Sequence, residues 1–198
     1  MKILYKITNR IKYKLLVEKV KALADISNVS LISMNCIAGM YYHDVNNIFL
    51  TPTINLFFSA DDFIKFVNDL EHYLSITPEV TMGEKYPIGI LDDIKIYFMH
   101  FSSVELALEK WEERKNRVDL DRVFVIMVEQ NGFTDKNYED FQNIKYPKIL
   151  FTRNPNHQAD DVVYFEKYKD LDELPNIIDH REFYKDMKLP KAVNKAFN

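Results

Sequence analysis

Val123-Phe124-Val125-Ile126-Met127-Val128-Glu129-Gln130-Asn131-Gly132 decides the fold. Its first six residues are the most apolar run of the chain, too short for a buried helix and closed by an Asn-Gly turn. They read as a strand buried on both faces. Val29–Ser33, Ile94–Met99, Ile149–Thr152 and Val162–Phe165 are further short runs of the same kind. Between them lie helical patterns. Ile3–Ala24 carries Leu4, Ile7, Ile11, Leu15, Leu16, Val20 and Leu23 on one side. Ser59 caps a helix over Ala60–Leu74, with Asp61 and Asp62 in its first turn. Ser102 with Glu105 is a capping-box signature for a helix to Val118, and Thr134 caps one ending at Phe141. A last helix is expected over Arg181–Met187, and Met82–Pro87 reads as a polar connection. Strands alternating with helices predict an α/β domain in three layers, helix–sheet–helix, around a mostly parallel or mixed sheet of open strand order.

With 198 residues, the chain suits a single domain over 1–198, on which a basic amphipathic helix at 1–25 packs. Apolar residues make up 47% and charged residues 28%, with 12 Tyr and 14 Phe to fill a core. The single cysteine, Cys36, excludes an intramolecular disulfide and an all-Cys zinc site. No run is long enough for a transmembrane segment and the N-terminus lacks a signal-peptide core, so a cytoplasmic protein is expected. A net charge of −4 from 26 basic and 30 acidic residues argues against nucleic-acid binding. The charge is uneven: residues 1–21 hold seven basic side chains against Glu18, a local +6, which leaves −10 for the remainder. Such a helix suits either a solvated face or peripheral contact with an anionic membrane or an acidic partner.

In parallel sheets, sites gather beyond the carboxyl ends of strands. The Val29 strand runs into Asn35-Cys36, the Ile94 strand into His100, and the Val123 strand into Glu129-Gln130-Asn131. If the three were parallel neighbours, a thiol, an imidazole and a carboxylate or amide would meet at one edge. Cys36 would be a nucleophile with its thiol pKa lowered by a following helix, His100 its base, and Glu129 or Asn131 the group orienting the imidazole. Asn35 or the backbone amides after Cys36 would face a developing oxyanion. On the helix after His100, Trp111 and Arg114 share a face, as do Arg114 and Arg117, and a guanidinium beside an aromatic suits a phosphate, carboxylate or sugar ligand, against the plainer reading of pairing with Glu109, Glu112 and Glu113. Cys36, His43 and His100 lack metal-ligand spacing, so no metal is expected. No Gly-rich nucleotide fingerprint or Gly-x-Ser-x-Gly elbow occurs, and no cofactor is expected.

Five segments carry a resemblance. They are Ser33–Tyr41 with its Asn35-Cys36, Thr51-Pro52-Thr53-Ile54-Asn55-Leu56-Phe57, Asp62–Phe66, Tyr86–Gly89, and His100-Phe101-Ser102 followed by Trp111, Arg114 and Arg117. Together they resemble a bacterial domain family of unknown function whose members are often labelled exopolysaccharide or capsule biosynthesis proteins. Ala38 stands where that family has the first of two glycines. The resemblance implies an α/β fold and a setting near surface-polysaccharide genes, without supplying an activity. More loosely, the order Cys, Asp-Phe helix, His and Arg-x-x-Arg helix is similar to bacterial papain-like cysteine peptidases.

Three functions are expected to compete. The first is a Cys–His acyltransferase or hydrolase acting on a surface-polysaccharide precursor, a carbohydrate or acyl-carrier substrate held by Arg114 or Arg117. The second is a glycosyltransferase-like or carbohydrate-binding protein without covalent catalysis, its pocket lined by Asn35, Thr53, Asn55 and the Tyr41–Tyr42 pair. The third is a non-enzymatic scaffold that docks through the basic helix.

Overall fold

The computed structural model describes residues 2–197, with side chains from Ile11 onward, so the side chains of Lys2, Lys6 and Arg10 in the basic opening helix lie outside the described residues. Four parallel strands form the main sheet in the order β1 (Ser30–Ser33), β5 (Val123–Val128), β6 (Lys148–Thr152) and β7 (Val162–Tyr164). Their side chains alternate between two cores. Ile32, Val125, Met127, Leu150 and Val162 enter one, while Leu31, Phe124, Ile126, Phe151 and Val163 enter the other. All six residues of β5 are buried, as a central strand covered on both faces requires.

Helices α1 (Lys2–Leu23), α2 (Ile37–Val45) and α7 (Lys188–Phe197) cover one face. The other carries α3 (Ala60–Asn68), α4 (Leu70–Ser75), α5 (Val104–Lys115) and α6 (Asp135–Gln142). Here Trp111 of α5 packs between Phe66 and Phe98, with ring centroids 6.2 and 6.3 Å away. The layers are those expected, helix–sheet–helix, with an addition on the second face. Three antiparallel strands, β2 (Glu79–Met82), β3 (Pro87–Leu91) and β4 (Ile94–Tyr97), make a smaller sheet of their own.

The Ile94 strand therefore is not a parallel neighbour of β1. Leu91 pairs directly with Ile94 across Asp92-Asp93, and Asp92 takes the left-handed φ of 56° that a two-residue hairpin turn needs. A local hairpin competes with a long crossover and wins. The smaller sheet still reaches β1. Phe57 pairs with Tyr97, and Phe58 N donates to Met34 O (3.1 Å), so residues 51–58 cover the free edge of β1 and tie the two sheets together.

Other boundaries shift for local reasons. The helix expected over Ala60–Leu74 breaks at Asp69, whose φ is −133°. Ser59 does cap α3, accepting from Asp62 N at 3.2 Å. The cap of α5 is Ser103 rather than Ser102, accepting from Leu106 N at 3.2 Å. In place of a helix over Arg181–Met187 stand 3-10 turns at Glu182–Met187, interrupted at Lys185 and Asp186. The true last helix, α7, follows with Pro190 in its first turn, where proline is tolerated. On α1, Val17 and Val20 are buried while Ile11 and Leu15 face outward, so the apolar residues divide between two sides of the helix.

Candidate functional site

A cleft of about 670 Å³ opens beyond the carboxyl ends of β1 and β5. Its floor is built from the residues that follow those strands. Asn35 Nδ2 donates to Gln130 Oε1 (3.1 Å), bridging the two strand ends, while Asn35 Oδ1 accepts from Ile37 N (3.2 Å) in the first turn of α2. Gln130 Nε2 in turn donates to Leu174 O (2.7 Å), which fixes its amide. Asn131 Nδ2 donates to Phe58 O (3.2 Å). Asn55 and Asn131 both adopt left-handed backbone, with φ of 64° and 55°. Such conformations cost a non-glycine residue free energy, least for asparagine, and gather at binding sites.

His100 N donates to Asn55 O (3.2 Å), which brings the imidazole to the cleft although its strand lies in the other sheet. Phe57 stacks on Tyr97 (4.6 Å between centroids) and meets Tyr86 edge-on (6.1 Å), so Phe57 and Tyr86 form an aromatic wall. The opposite wall comes from Asn176, Asp179 and Arg181, and Met40 and Met99 add apolar surface. Five carboxamides thus line one concavity: Asn35, Asn55, Gln130, Asn131 and Asn176.

Cys36 is the N-cap residue of α2 and lines the same cleft. Its Sγ faces Leu56 O at 4.0 Å, and no hydrogen bond joins it to His100 among the described residues. Burial pushes the thiol above its ordinary pKa, and the backbone of Asn55 and Leu56 pulls it back only in part. Desolvation is the largest influence on this thiol and acts against the lowering expected of a helix N-terminus.

The cleft brings together Cys36, His100, Asn131, Asn35 and Asn55 and leaves the other candidates elsewhere. Glu129 is turned into a buried network instead of toward His100. Its Oε2 accepts from Thr152 Oγ1 (2.5 Å), Arg153 N (2.7 Å) and Asn154 N (3.3 Å). Thr152 Oγ1 also meets His157 Nδ1 (3.1 Å), and that ring stacks on Tyr138 at 4.1 Å. Neighbouring strand-end residues face opposite ways, so Gln130 takes the place expected of Glu129. Tyr41 is fully buried against Tyr184, with rings 5.4 Å apart, and Tyr42 is buried with its hydroxyl donating to Val29 O (2.6 Å), so both are core. Thr53 is buried too: its Oγ1 accepts from Ser33 N (3.1 Å) and pairs with Thr51 Oγ1 (2.9 Å), holding the loop over β1. Arg114 lies over the ring of Phe49 (5.2 Å), while Arg117 bonds Glu113 and donates to Phe49 O (3.2 Å). Those arginines anchor α5 to the segment after α2 and do not line the cleft.

Sequence reasoning passed over Arg181. It donates from Nε and Nη2 to Asp44 (2.7 and 3.0 Å), and the Asp44 side chain, fully buried, also accepts from Tyr13 Oη at 2.6 Å. Burial alone would lower the Arg181 pKa, but its bonds and charge contact with Asp44 more than offset this and raise it. The pair joins α1, α2 and the C-terminal segment at the wall of the cleft. Among the described residues no three His, Cys, Asp or Glu side chains converge as a metal site, and no helix is long and apolar enough to cross a membrane.

A family model described as a domain of unknown function, DUF1919, matches residues 6–195. An uncharacterized protein of Haemophilus influenzae is 29% identical over 175 residues, which cover 85% of each chain.

Proposed function

This chain belongs to the DUF1919 family, and we propose that its cleft is a binding site for carbohydrate, in a protein of surface-polysaccharide biosynthesis. The carrying observation is the set of five carboxamides beside the Phe57 and Tyr86 rings. A carboxamide both donates and accepts, which matches the hydroxyls of a sugar, and an aromatic face covers the sugar's apolar C–H surface. A concavity of about 670 Å³ has room for a ligand of one or two sugar units. The polysaccharide setting rests on the sequence resemblance carried by the Asn35-Cys36 and Thr51–Phe57 segments. In this reading Cys36 lines the floor as a neutral thiol and no covalent intermediate forms.

The test is ligand-induced thermal stabilisation with nucleotide sugars and capsule oligosaccharides, in wild type, Cys36→Ala and Asn55→Gly. Glycine keeps the left-handed backbone at position 55 and removes only the carboxamide. Stabilisation is expected to be equal in wild type and Cys36→Ala and weakened in Asn55→Gly. The absence of any shift in wild type across the panel would refute the reading.

A second reading, acyl transfer through Cys36 with His100 as base, is favoured by one observation: both residues line this cleft and Cys36 caps α2. It requires a thioester adduct on Cys36 in intact-mass spectra after exposure to an acyl donor.

A further inference from the structure

The outward side of α1 combines two large apolar side chains with several unpaired cations. Ile11 and Leu15 are 53% and 59% exposed, one helical turn apart, although α1 buries Val17 and Val20 against the body. A helix needs one apolar face to pack on its domain, and this helix has two. By the 100° step of a helix, Lys12 and Lys19 flank the Ile11–Leu15 stripe on one side and Lys14 and Lys21 on the other, while exposed Glu18 follows Leu15 on the stripe itself, where Lys21 pairs with it. All four lysines are exposed, and Lys12, Lys14 and Lys19 have no carboxylate partner among the described residues. Lys21 meets only Glu18, at 3.4 Å.

We propose that α1 is an interfacial helix that lies along an anionic lipid bilayer, with Ile11 and Leu15 in the headgroup–acyl boundary and the lysines at the phosphates. Lysines on both sides of Ile11 and Leu15 let long cationic stems reach upward to headgroups while those two side chains sink, and Glu18, the one carboxylate on that face, has Lys21 as counter-charge. Charge complementarity selects the occupant. The helix region is locally +6 and the remainder −10, so an anionic surface attracts α1 and repels the rest of the molecule, which orients it. A second copy of this helix would set these lysines against each other, which disfavours self-association through the same stripe.

The experiment is co-sedimentation of the full chain with vesicles of phosphatidylcholine alone and with phosphatidylglycerol added. The protein is expected to pellet with the anionic vesicles and to be released by high salt. Lys12→Gln/Lys14→Gln/Lys19→Gln is expected to lower the apparent affinity on the order of a hundredfold, and Ile11→Gln/Leu15→Gln about tenfold or more. These residues are exposed, so unchanged circular dichroism and melting temperature keep both variants interpretable. Equal binding to neutral vesicles, no binding to anionic ones, or binding untouched by both variants would overturn the proposal. So would a dimer in sedimentation equilibrium that the Ile11→Gln/Leu15→Gln change disperses, because the stripe would then cover another copy.

Discussion

Asp44→Asn tests how far the chain depends on one buried charge. The Asp44 side chain is wholly shielded from solvent and accepts three hydrogen bonds, two from Arg181 and one from Tyr13, in a space where the Arg181 side chain is only 14% exposed. The amide keeps the shape and one acceptor but leaves the guanidinium without its counter-charge and turns an amide donor toward groups that themselves donate. Breaking a buried pair from one side costs about 3–5 kcal/mol, and partial solvent access to Arg181 favours the lower end, about 3 kcal/mol. For a chain of 198 residues that corresponds to a melting temperature lower by about 6–12 °C. Urea unfolding followed by circular dichroism gives the free energy, and calorimetry the temperature. As a comparison, Lys136→Gln breaks the Lys136–Asp140 pair, whose side chains are 75% and 33% exposed, and should change stability by less than about 1 kcal/mol. If Asp44→Asn lost no more than Lys136→Gln, the reasoning that joins α1, α2 and the C-terminal segment through this pair would be wrong.

Four further outcomes are expected of the site and its surroundings. Iodoacetamide should alkylate Cys36 slowly at neutral pH, with a rate that climbs only as pH rises beyond the ordinary thiol range of about 8.5, and His100→Ala should leave that profile in place; a thiol that titrates lower and depends on His100 would refute the neutral-thiol assignment. The sign for stability agrees: because folding raises the Cys36 pKa, its contribution is full below the unfolded value and is lost as pH rises through the folded one, and Cys36→Ala should remove that alkaline loss. Glu129→Gln places an amide among three donors and should lower stability by about 2–3 kcal/mol in denaturant titrations while leaving Cys36 alkylation unchanged; an altered alkylation rate would return Glu129 to the cleft. Gly89→Ala puts a methyl 2.9 Å from Phe98 Cε2 and 3.3 Å from Pro78 Cβ, so unfolding should become easier by about 1–3 kcal/mol, and an unchanged melting curve would contradict the close packing there.

The three-layer plan was legible because β5 has no polar residue to place it on a surface, and strands buried on both faces occur almost only between helical layers. The smaller sheet was hidden for the opposite reason. In β2, Glu79, Thr81 and Met82 are exposed, and β3 buries Pro87, Gly89 and Leu91 while Ile90 is exposed, so its alternation in burial is not written as an alternation of apolar and polar residues. At the cleft, the strand-end rule located Asn35, Cys36 and Asn131 directly. It located His100 by an incorrect route, because β4 is antiparallel and its end returns to β1 through the 51–58 segment, by the Phe57–Tyr97 bridge and the His100 N–Asn55 O bond. Glu129 was misplaced by one residue, the smallest step that reverses a strand side chain. Arg181 and Asn176 come from irregular backbone, where neither periodicity nor a motif marks a residue in advance.

The register of the main sheet also sets the order in which the molecule can be made. Leu150 pairs with Val162 and Val125 with Lys148, partners 12 and 23 positions apart, whereas Ser30 pairs with Val123, 93 positions away. Loop-closure entropy grows with that separation, so β5–β6–β7 is the natural nucleus and β1 docks last, after the intervening hairpins have shortened the effective loop. Until β1 arrives, the Val123–Val128 edge stands open with an apolar sequence suited to pairing with the same segment of another chain. Refolding yield should therefore fall with protein concentration even where the native state is stable, and a yield independent of concentration would contradict this order.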